Sequence, residues 1–518
     1  MTSEAQGPQT AALAAFAAVA AAAAAAVVLR RKNSTAKSSA GGSSSAKADS
    51  VDEQLKKLYS STPAIPEAQD TFNLRLDEAR FVDFLGRLLD ESEHLQNFPP
   101  EFIPKEDLVV KHVLDILNLH STENGGPLEI EQVSFTPGRS NLIIRYPSTA
   151  ADSKDAPTIG LIGSHMDVVP AVKENWKRDP FHLQVEGDMM YGRGTTDCLG
   201  HIALLTLFFE ALAKKRPETH ANIVAVFICS EEATDKPGIG VDGLEPKGYL
   251  KALQNGTSLW IDASDSEPCI GTAGALQWHL KATGKRFHSG FPNLAVNPIE
   301  LLTEASAYLQ DKFYAKYAPH PEEKRFGYLN PSTIKPTQIS AAKGGLNQIP
   351  PTATFSGDIR LTPFYDCAEV IESMNTWVKE LNETRFAALG TRGPVSKYEL
   401  PDEDLIGKLE LEWAHDGEEI LMEGIACNID SPGFLAICDS IKSVRGAVKP
   451  YSICGSLPLV RSMQRAGFDL QITGFGASDA YHAENEYCRL SDMLNACKIL
   501  SLYCSKLQAF YKSKKESS

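Results

Sequence analysis

Basic residues are in short supply: 51 Lys and Arg stand against 66 Asp and Glu, a formal net charge of −15. A protein that grips nucleic acid through its phosphates needs a basic face, so no nucleic-acid partner is expected. Ten cysteines are present, but they form no CxxC pair and no regular framework. Several sit inside apolar runs such as "VFICS" and "FLAICDS", where a small buried thiol is the usual occupant. Reduced thiols of this kind point to a cytoplasmic or plastid-like reducing compartment. Serine-nucleophile chemistry lacks its signature, since neither "CGSLP" nor "FHSG" makes a GxSxG elbow. "GIGVDG" at 238–243 spells GxGxxG but does not directly follow a strand, so it is set aside as a dinucleotide motif. No internal repeat is present.

The front of the chain stands apart. Residues 11–29, "AALAAFAAVAAAAAAAVVL", are apolar throughout and are followed at once by "RRK". Such a stretch, at 1.5 Å rise per residue, matches a bilayer core, and a single membrane anchor with the body on the cytoplasmic side fits. A cleaved targeting peptide fits equally. Residues 1–48 hold one acid, Glu4, beside Arg30, Arg31, Lys32, Lys37 and Lys47. Membrane contact is expected through residues 11–29 alone. Residues 33–48 are a flexible linker in either case, and the segment 1–54 precedes the folded protein.

Within the first catalytic part, 55–275, helical and strand-like segments alternate from about residue 75. "DEARFVDFLGRLLDES" and "LVVKHVLDILNLH" have helical spacing. "SNLIIRYP", "TIGLIGSHMD" and "ANIVAVFICS" are short, β-branched and almost wholly apolar, as strands covered on both faces are. Strand, crossover helix and strand in series imply an α/β fold with a mixed sheet. Residues 276–415 change order to βαββα with a last strand in "KLELEW", the pattern of an inserted α+β, ferredoxin-like split-βαβ domain. From 416 to 518 the α/β character resumes. The expected organisation is a catalytic domain in two parts, interrupted by a lid.

Acids and imidazoles recur where apolar strands give out. Glu231 and Glu232 stand side by side after "NIVAVFICS". Adjacent carboxylates taken out of water raise each other's pKa and cost several kcal/mol unless a positive charge is near. His165 and Asp167, two apart in "GSHMD", point to one side of an extended backbone, where the carboxylate can fix the imidazole. Asp197 lies in a turn set among Gly192, Gly194 and Gly200. Asp262 ends a strand, with Asp265 close behind, and His482 lies near the C-terminus. The carboxyl ends of parallel strands share one edge, which is where ligands bind. Mixed N and O donors suit Zn²⁺, Co²⁺ or Mn²⁺. Two divalent ions sharing one carboxylate would neutralise the acid pair.

The order HxD, GRGxxD, EE, an acid some thirty residues on, and a late His resembles the M20 family of metallopeptidases and deacylases. Within it, "YGRGTTDCLGH", "WIDASDSEPC", "GKRFHSG", "RLTPFYD", "TRGPVSKY", "NIDSPGF" and "VKPYSI" are similar to plant-type acetylornithine deacetylases, over about residues 75–510. That resemblance implies two divalent metal ions, zinc first and cobalt second. Asp197 would bridge them, His165 and Asp262 completing one site and Glu232 and His482 the other, with Asp265 left open as the alternative fourth acid. Glu231 would be the general base and Asp167 the group that orients His165. His288 would hold the oxyanion across a homodimer formed by the lid. Arg360 would take the substrate α-carboxylate, with Asn347, Gly455 and Ser456 as further substrate contacts. The implied reaction is removal of acetyl from N2-acetyl-L-ornithine, as in arginine biosynthesis. Alternatives are a dipeptidase or aminoacylase acting on another small N-acyl amino acid, and a catalytically inactive, membrane-tethered binding protein.

Overall fold

The computed structural model describes residues 69–516, apart from 151–154, 234–236, 392, 394–397, 415–421 and 458. The Ala-rich stretch 11–29, the linker 33–48, the rest of segment 1–54 and most of "TRGPVSKY" lie outside the described residues. None of the helices among the described residues is long and apolar enough to cross a membrane. The chain divides into two compact units. The smaller comprises the described residues within 271–426 and 452–461, and the larger those within 69–270, 427–451 and 462–516.

The larger unit is built on an eight-stranded mixed sheet. At its middle lies Thr158–His165, buried at every residue. Asn222–Ile228 and Gly256–Ile261 flank it in parallel, and Leu470–Thr473 runs parallel to the latter. The hairpin of Glu129–Thr136 and Arg139–Tyr146 extends one edge antiparallel. The short strands Cys269–Gly271 and Tyr451–Ser452 close the other. Burial on both faces explains why the parallel strands read as continuous apolar runs rather than as alternation.

The crossover from His165 to Asn222 contains the helix Leu199–Lys215, which is buried along almost all its length. A helix apolar on every side must be covered on every side; Glu78–Leu89, Asp107–Leu117 and Leu490–Glu516 pack on it. It stops at Arg216, which is left-handed at φ 51° and is followed by Pro217, which cannot continue a helix. "GIGVDG" forms a tight local turn. The Asp242 carboxylate accepts from the Gly238 and Gly240 amides, and Val241–Leu244 is a helix of four residues.

One irregularity matters for the site. Pairing between Thr158–His165 and Asn222–Ile228 shifts register between Ile162 and His165. Gly163 sits there at φ +100°, and a Cβ would meet the Trp260 ring at 2.7 Å. Bulges of this kind turn a strand end, and His165 is the residue that follows.

The smaller unit has a four-stranded antiparallel sheet in the order Thr333–Ala341, Thr352–Leu361, Gly274–Thr283, Lys408–Trp413. Pro298–Lys316 follows the first strand in sequence and Cys367–Glu383 the third, which makes the unit a ferredoxin-like split βαβ. Leu276, Trp278, Leu280 and Ala282 alternate inward along Gly274–Thr283 and bury against Leu302, Phe313, Val370 and Met374. Asn297 and Asp366 cap the two helices, accepting from the Ile299 amide and from the Ala368 and Glu369 amides. Thr333–Ala341 forms an edge, exposed from Lys335 onward.

Candidate metal centre

Parallel strands place their carboxyl ends on one edge, and four ligand-type segments leave the sheet of the larger unit there. His165 is the last residue of its strand. Asp262 directly follows Gly256–Ile261. Glu231 and Glu232 follow Asn222–Ile228 after Ser230, which turns the chain at φ +57°. Asp197 stands in the glycine turn before Leu199–Lys215, and His482, at φ +58°, lies beyond Leu470–Thr473.

The structure brings these residues together. His165 Nε2 lies 2.9 Å from Asp197 Oδ1, 3.9 Å from Glu231 Oε2 and 3.9 Å from Asp262 Oδ1. His482 Nε2 lies 3.1 Å from Asp197 Oδ2 and 3.0 Å from Glu232 Oε2. The two oxygens of Asp197 therefore face two imidazoles in different directions. Three groups of ligand atoms fall within 4.8 Å of one another: His165, Asp197, Cys198 and Asp262; His165, Glu231 and Glu232; and Asp197, Glu232 and His482.

Asp265 is in none of these groups. Its carboxylate accepts from the Ser478 amide at 3.1 Å and hydroxyl at 2.7 Å. Asp167 also behaves differently from the expected imidazole partner. His165 Nδ1 is held at 2.9 Å by the Asp167 backbone carbonyl, with the carboxylate at 3.5 Å. The carboxylate is occupied instead by the Glu231 and Glu232 amides and by Asn97 Nδ2. Asp167 thus fixes the acid pair through their amides and His165 through its own carbonyl. With Nδ1 donating to that carbonyl, His165 presents Nε2 to the cluster, where the neutral ring would offer a lone pair to an ion.

Several supporting residues had no local sequence signal. Glu106 and Arg139 form a buried bidentate pair, and Glu106 also accepts from the Ser230 amide at 3.3 Å. His201 is wholly buried; its Nε2 accepts from the Phe475 amide at 3.0 Å and its Nδ1 lies 3.2 Å from Cys198 Sγ. Glu486, also fully buried, accepts from Arg193 and from the turn that carries Asp197. Their partners are distant in the chain, so periodicity and motif spacing carry no trace of them. All ten cysteines are free thiols.

The electrostatics of the cluster call for cations. Burial, with Asp262 and Glu232 adding to it, drives Glu231 well above the ordinary carboxylate range. Burial and then Asp197 push Asp262 up to about 7. Burial also acts to raise Asp197, yet hydrogen bonds from His165 and His482 hold it far below its ordinary value. Burial acts to lower His482, and Glu232 and Asp197 outweigh it and raise the imidazole. Acids that resist ionising beside imidazoles that hold their protons mark a site short of positive charge. Glu232 Oε1 is buried with no hydrogen-bond partner, a costly state unless a further ligand meets it. A donor set of carboxylates and imidazoles fits a pair of divalent cations.

The remaining expected residues lie in the smaller unit. His288 is exposed, on a two-residue strand paired with Gln348–Ile349. Its Nδ1 accepts from the Gly290 amide at 3.0 Å, which places the proton of the neutral ring on Nε2. The Asn347 carbonyl accepts from the Ser289 amide at 2.9 Å. Arg360 donates through Nε to Asp358 Oδ2 at 2.6 Å. Gly455 accepts from the Ala273 amide at 2.8 Å, and the Ser456 hydroxyl lies 3.5 Å from Met422 Sδ.

Known proteins share this chain's sequence and fold. Acetylornithine deacetylase of Arabidopsis thaliana is 48% identical over 434 residues, 84% of this chain and 96% of that protein. Acetylornithine deacetylase of Dictyostelium discoideum is 46% identical over 434 residues, 82% and 96% of the two chains. The solved structure of a dinuclear metal binding peptidase of the M20 family from Bacillus subtilis matches with a TM-score of 0.52 at 14% identity, covering 84% of this chain and 99% of that one. Residues 161–506 match the model of peptidase family M20/M25/M40, a span that includes every ligand-type residue of the cluster. The chain belongs to peptidase family M20/M25/M40.

Proposed function

We propose that this protein is a metal-dependent hydrolase that removes the acetyl group from N2-acetyl-L-ornithine, releasing L-ornithine and acetate. Support comes from the 48% and 46% identity to two acetylornithine deacetylases across nearly their whole lengths. The observation that carries the chemistry is the division of Asp197 between His165 at 2.9 Å and His482 at 3.1 Å, the arrangement a carboxylate shared by two ions requires. His165, Asp197 and Asp262 would hold one ion, and Asp197, Glu232 and His482 the other, zinc being the best match and cobalt the next. Divalent ions held there would polarise a carbonyl and bring the pKa of water toward neutrality.

The side chains supply the rest. Glu231, whose Oε2 lies 3.9 Å from His165 Nε2 and whose amide donates to the Asp167 carboxylate, takes a proton from the attacking water. Water oxygen adds to the acetyl carbon, the C–N bond breaks, and Glu231 returns the proton to the leaving amine. His288, with its proton on Nε2, would donate to the developing oxyanion. Arg360 is oriented by Asp358 through Nε, which leaves its two terminal nitrogens for bidentate contact with the substrate α-carboxylate. Asn347, Gly455 and Ser456 would complete the substrate contacts. The exposed edge strand Thr333–Ala341 suits pairing with a second copy through the lid; sedimentation as a monomer would contradict that dimer.

The test offers purified, zinc-loaded protein N2-acetyl-L-ornithine, N-acetyl-L-methionine and simple dipeptides. Preferred turnover of acetylornithine is expected. Turnover of a dipeptide or another acyl amino acid without acetylornithine would reassign the substrate.

A further inference from the structure

Glu486 lies four residues beyond His482 and is fully buried. One oxygen accepts from the Thr196 amide at 2.8 Å and the Asp197 amide at 3.0 Å. The Gly194 amide lies 3.2 Å from both oxygens, and Arg193 Nη1 donates to the other oxygen at 2.6 Å. Three main-chain N–H groups converge on one carboxylate, a concave anion-binding turn whose occupant is supplied from nearly three hundred residues away. Gly194, at φ +95° with Leu199 2.8 Å from where a Cβ would stand, gives the turn its shape. A second tie runs alongside: Thr196 donates its hydroxyl to the Tyr487 carbonyl at 2.6 Å and accepts from the Ala477 amide at 3.2 Å.

We propose that Glu486 is a positioning residue that locks the Asp197 turn to the His482 loop, so that the two ion sites form and fail together. The inference rests on the two-ion centre proposed above. The shared carboxylate of Asp197 and the terminal imidazole of His482 come from separate segments, and each offers its ligand atom only at a fixed offset from the other. Glu486 sets that offset. It grips the amide of Asp197 itself and belongs to the loop that presents His482. Glutamine at 486 keeps one acceptor but turns an NH₂ toward backbone N–H donors, which opens the turn. Loss of a terminal ligand such as Glu232 acts on one ion; release of the clamp acts on both, because Asp197 serves both.

The experiment is a zinc titration of the metal-stripped full chain, read by competition with a chromogenic chelator and followed by circular dichroism. Wild type is expected to take up two ions. Glu486→Gln is expected to weaken both together by about 10–100-fold, the usual cost of losing an outer-shell partner. Glu232→Gln is expected to weaken one ion much more than the other. Arg193→Gln, which removes one of the four donors, is expected to weaken both by a few-fold and decides the matter should Glu486→Gln fail to fold. Two ions bound at wild-type affinity by folded Glu486→Gln, or by Arg193→Gln in its place, overturn the proposal, as does loss confined to one ion. A wild type that binds no ion overturns the two-ion centre itself, a distinct result.

Discussion

In the proposed reaction Glu231 carries the proton chemistry, and its environment would separate that role from metal holding. Its amide, not its carboxylate, is tied to Asp167, so the side chain can change chemistry without releasing the loop. Glu231→Gln should keep its full ion content by elemental analysis and lose about 10²–10⁴ in kcat, the usual contribution of a positioned base. Ion loss in this variant would make Glu231 a ligand instead. His201 gives an independent test through pH. Burial depresses its pKa to about 4, so the fold holds it neutral while the unfolded chain protonates it near 6.5. Its contribution to stability is complete above that value and is lost as pH falls toward about 4, amounting to roughly 2 kcal/mol at pH 5. Urea unfolding of wild type and His201→Gln at pH 7.5 and pH 5 measures it; equal pH dependence in the two proteins contradicts the assignment. At this scale the ligand-type residues were legible because each sits in a short motif. Glu106 and His201 were not, since a buried acid or imidazole with distant partners looks in sequence like any other.

The strands do more than fill the core; their ends aim the ligands. The bulge at Gly163 is the sharpest case, with a left-handed backbone and the Trp260 ring in van der Waals reach. Gly163→Ala should cost roughly 1–3 kcal/mol through strain alone and more if Trp260 must move, seen as a lowered urea midpoint. A midpoint equal to wild type would show that the strand end adapts freely. Sequence spacing identified the parallel strands and the split βαβ order, because continuous apolar runs and alternation each have a physical cause in burial. It also expected His165 and Asp167 to pair through the carboxylate. The structure gives that contact to the Asp167 carbonyl, since three N–H donors already claim the carboxylate and no local pattern announces them.

At the scale of the molecule, Asp197, Glu231, Glu232 and Asp262 gather at one sheet edge, and bound cations would make that gathering stable. Ions that bind only the folded chain add about 2.7 kcal/mol per site when present at 100 times Kd. Stripping with a chelator should therefore lower the melting temperature by several degrees, and zinc or cobalt should restore it. A melting curve indifferent to both would mean that the acids are satisfied without ions. The most direct measurement of the central claim is anomalous diffraction at the zinc edge from zinc-loaded crystals of the full chain. The account predicts two peaks on either side of Asp197, one beside His165 and Asp262 and one beside Glu232 and His482. A single peak, or none with these side chains ordered, contradicts it.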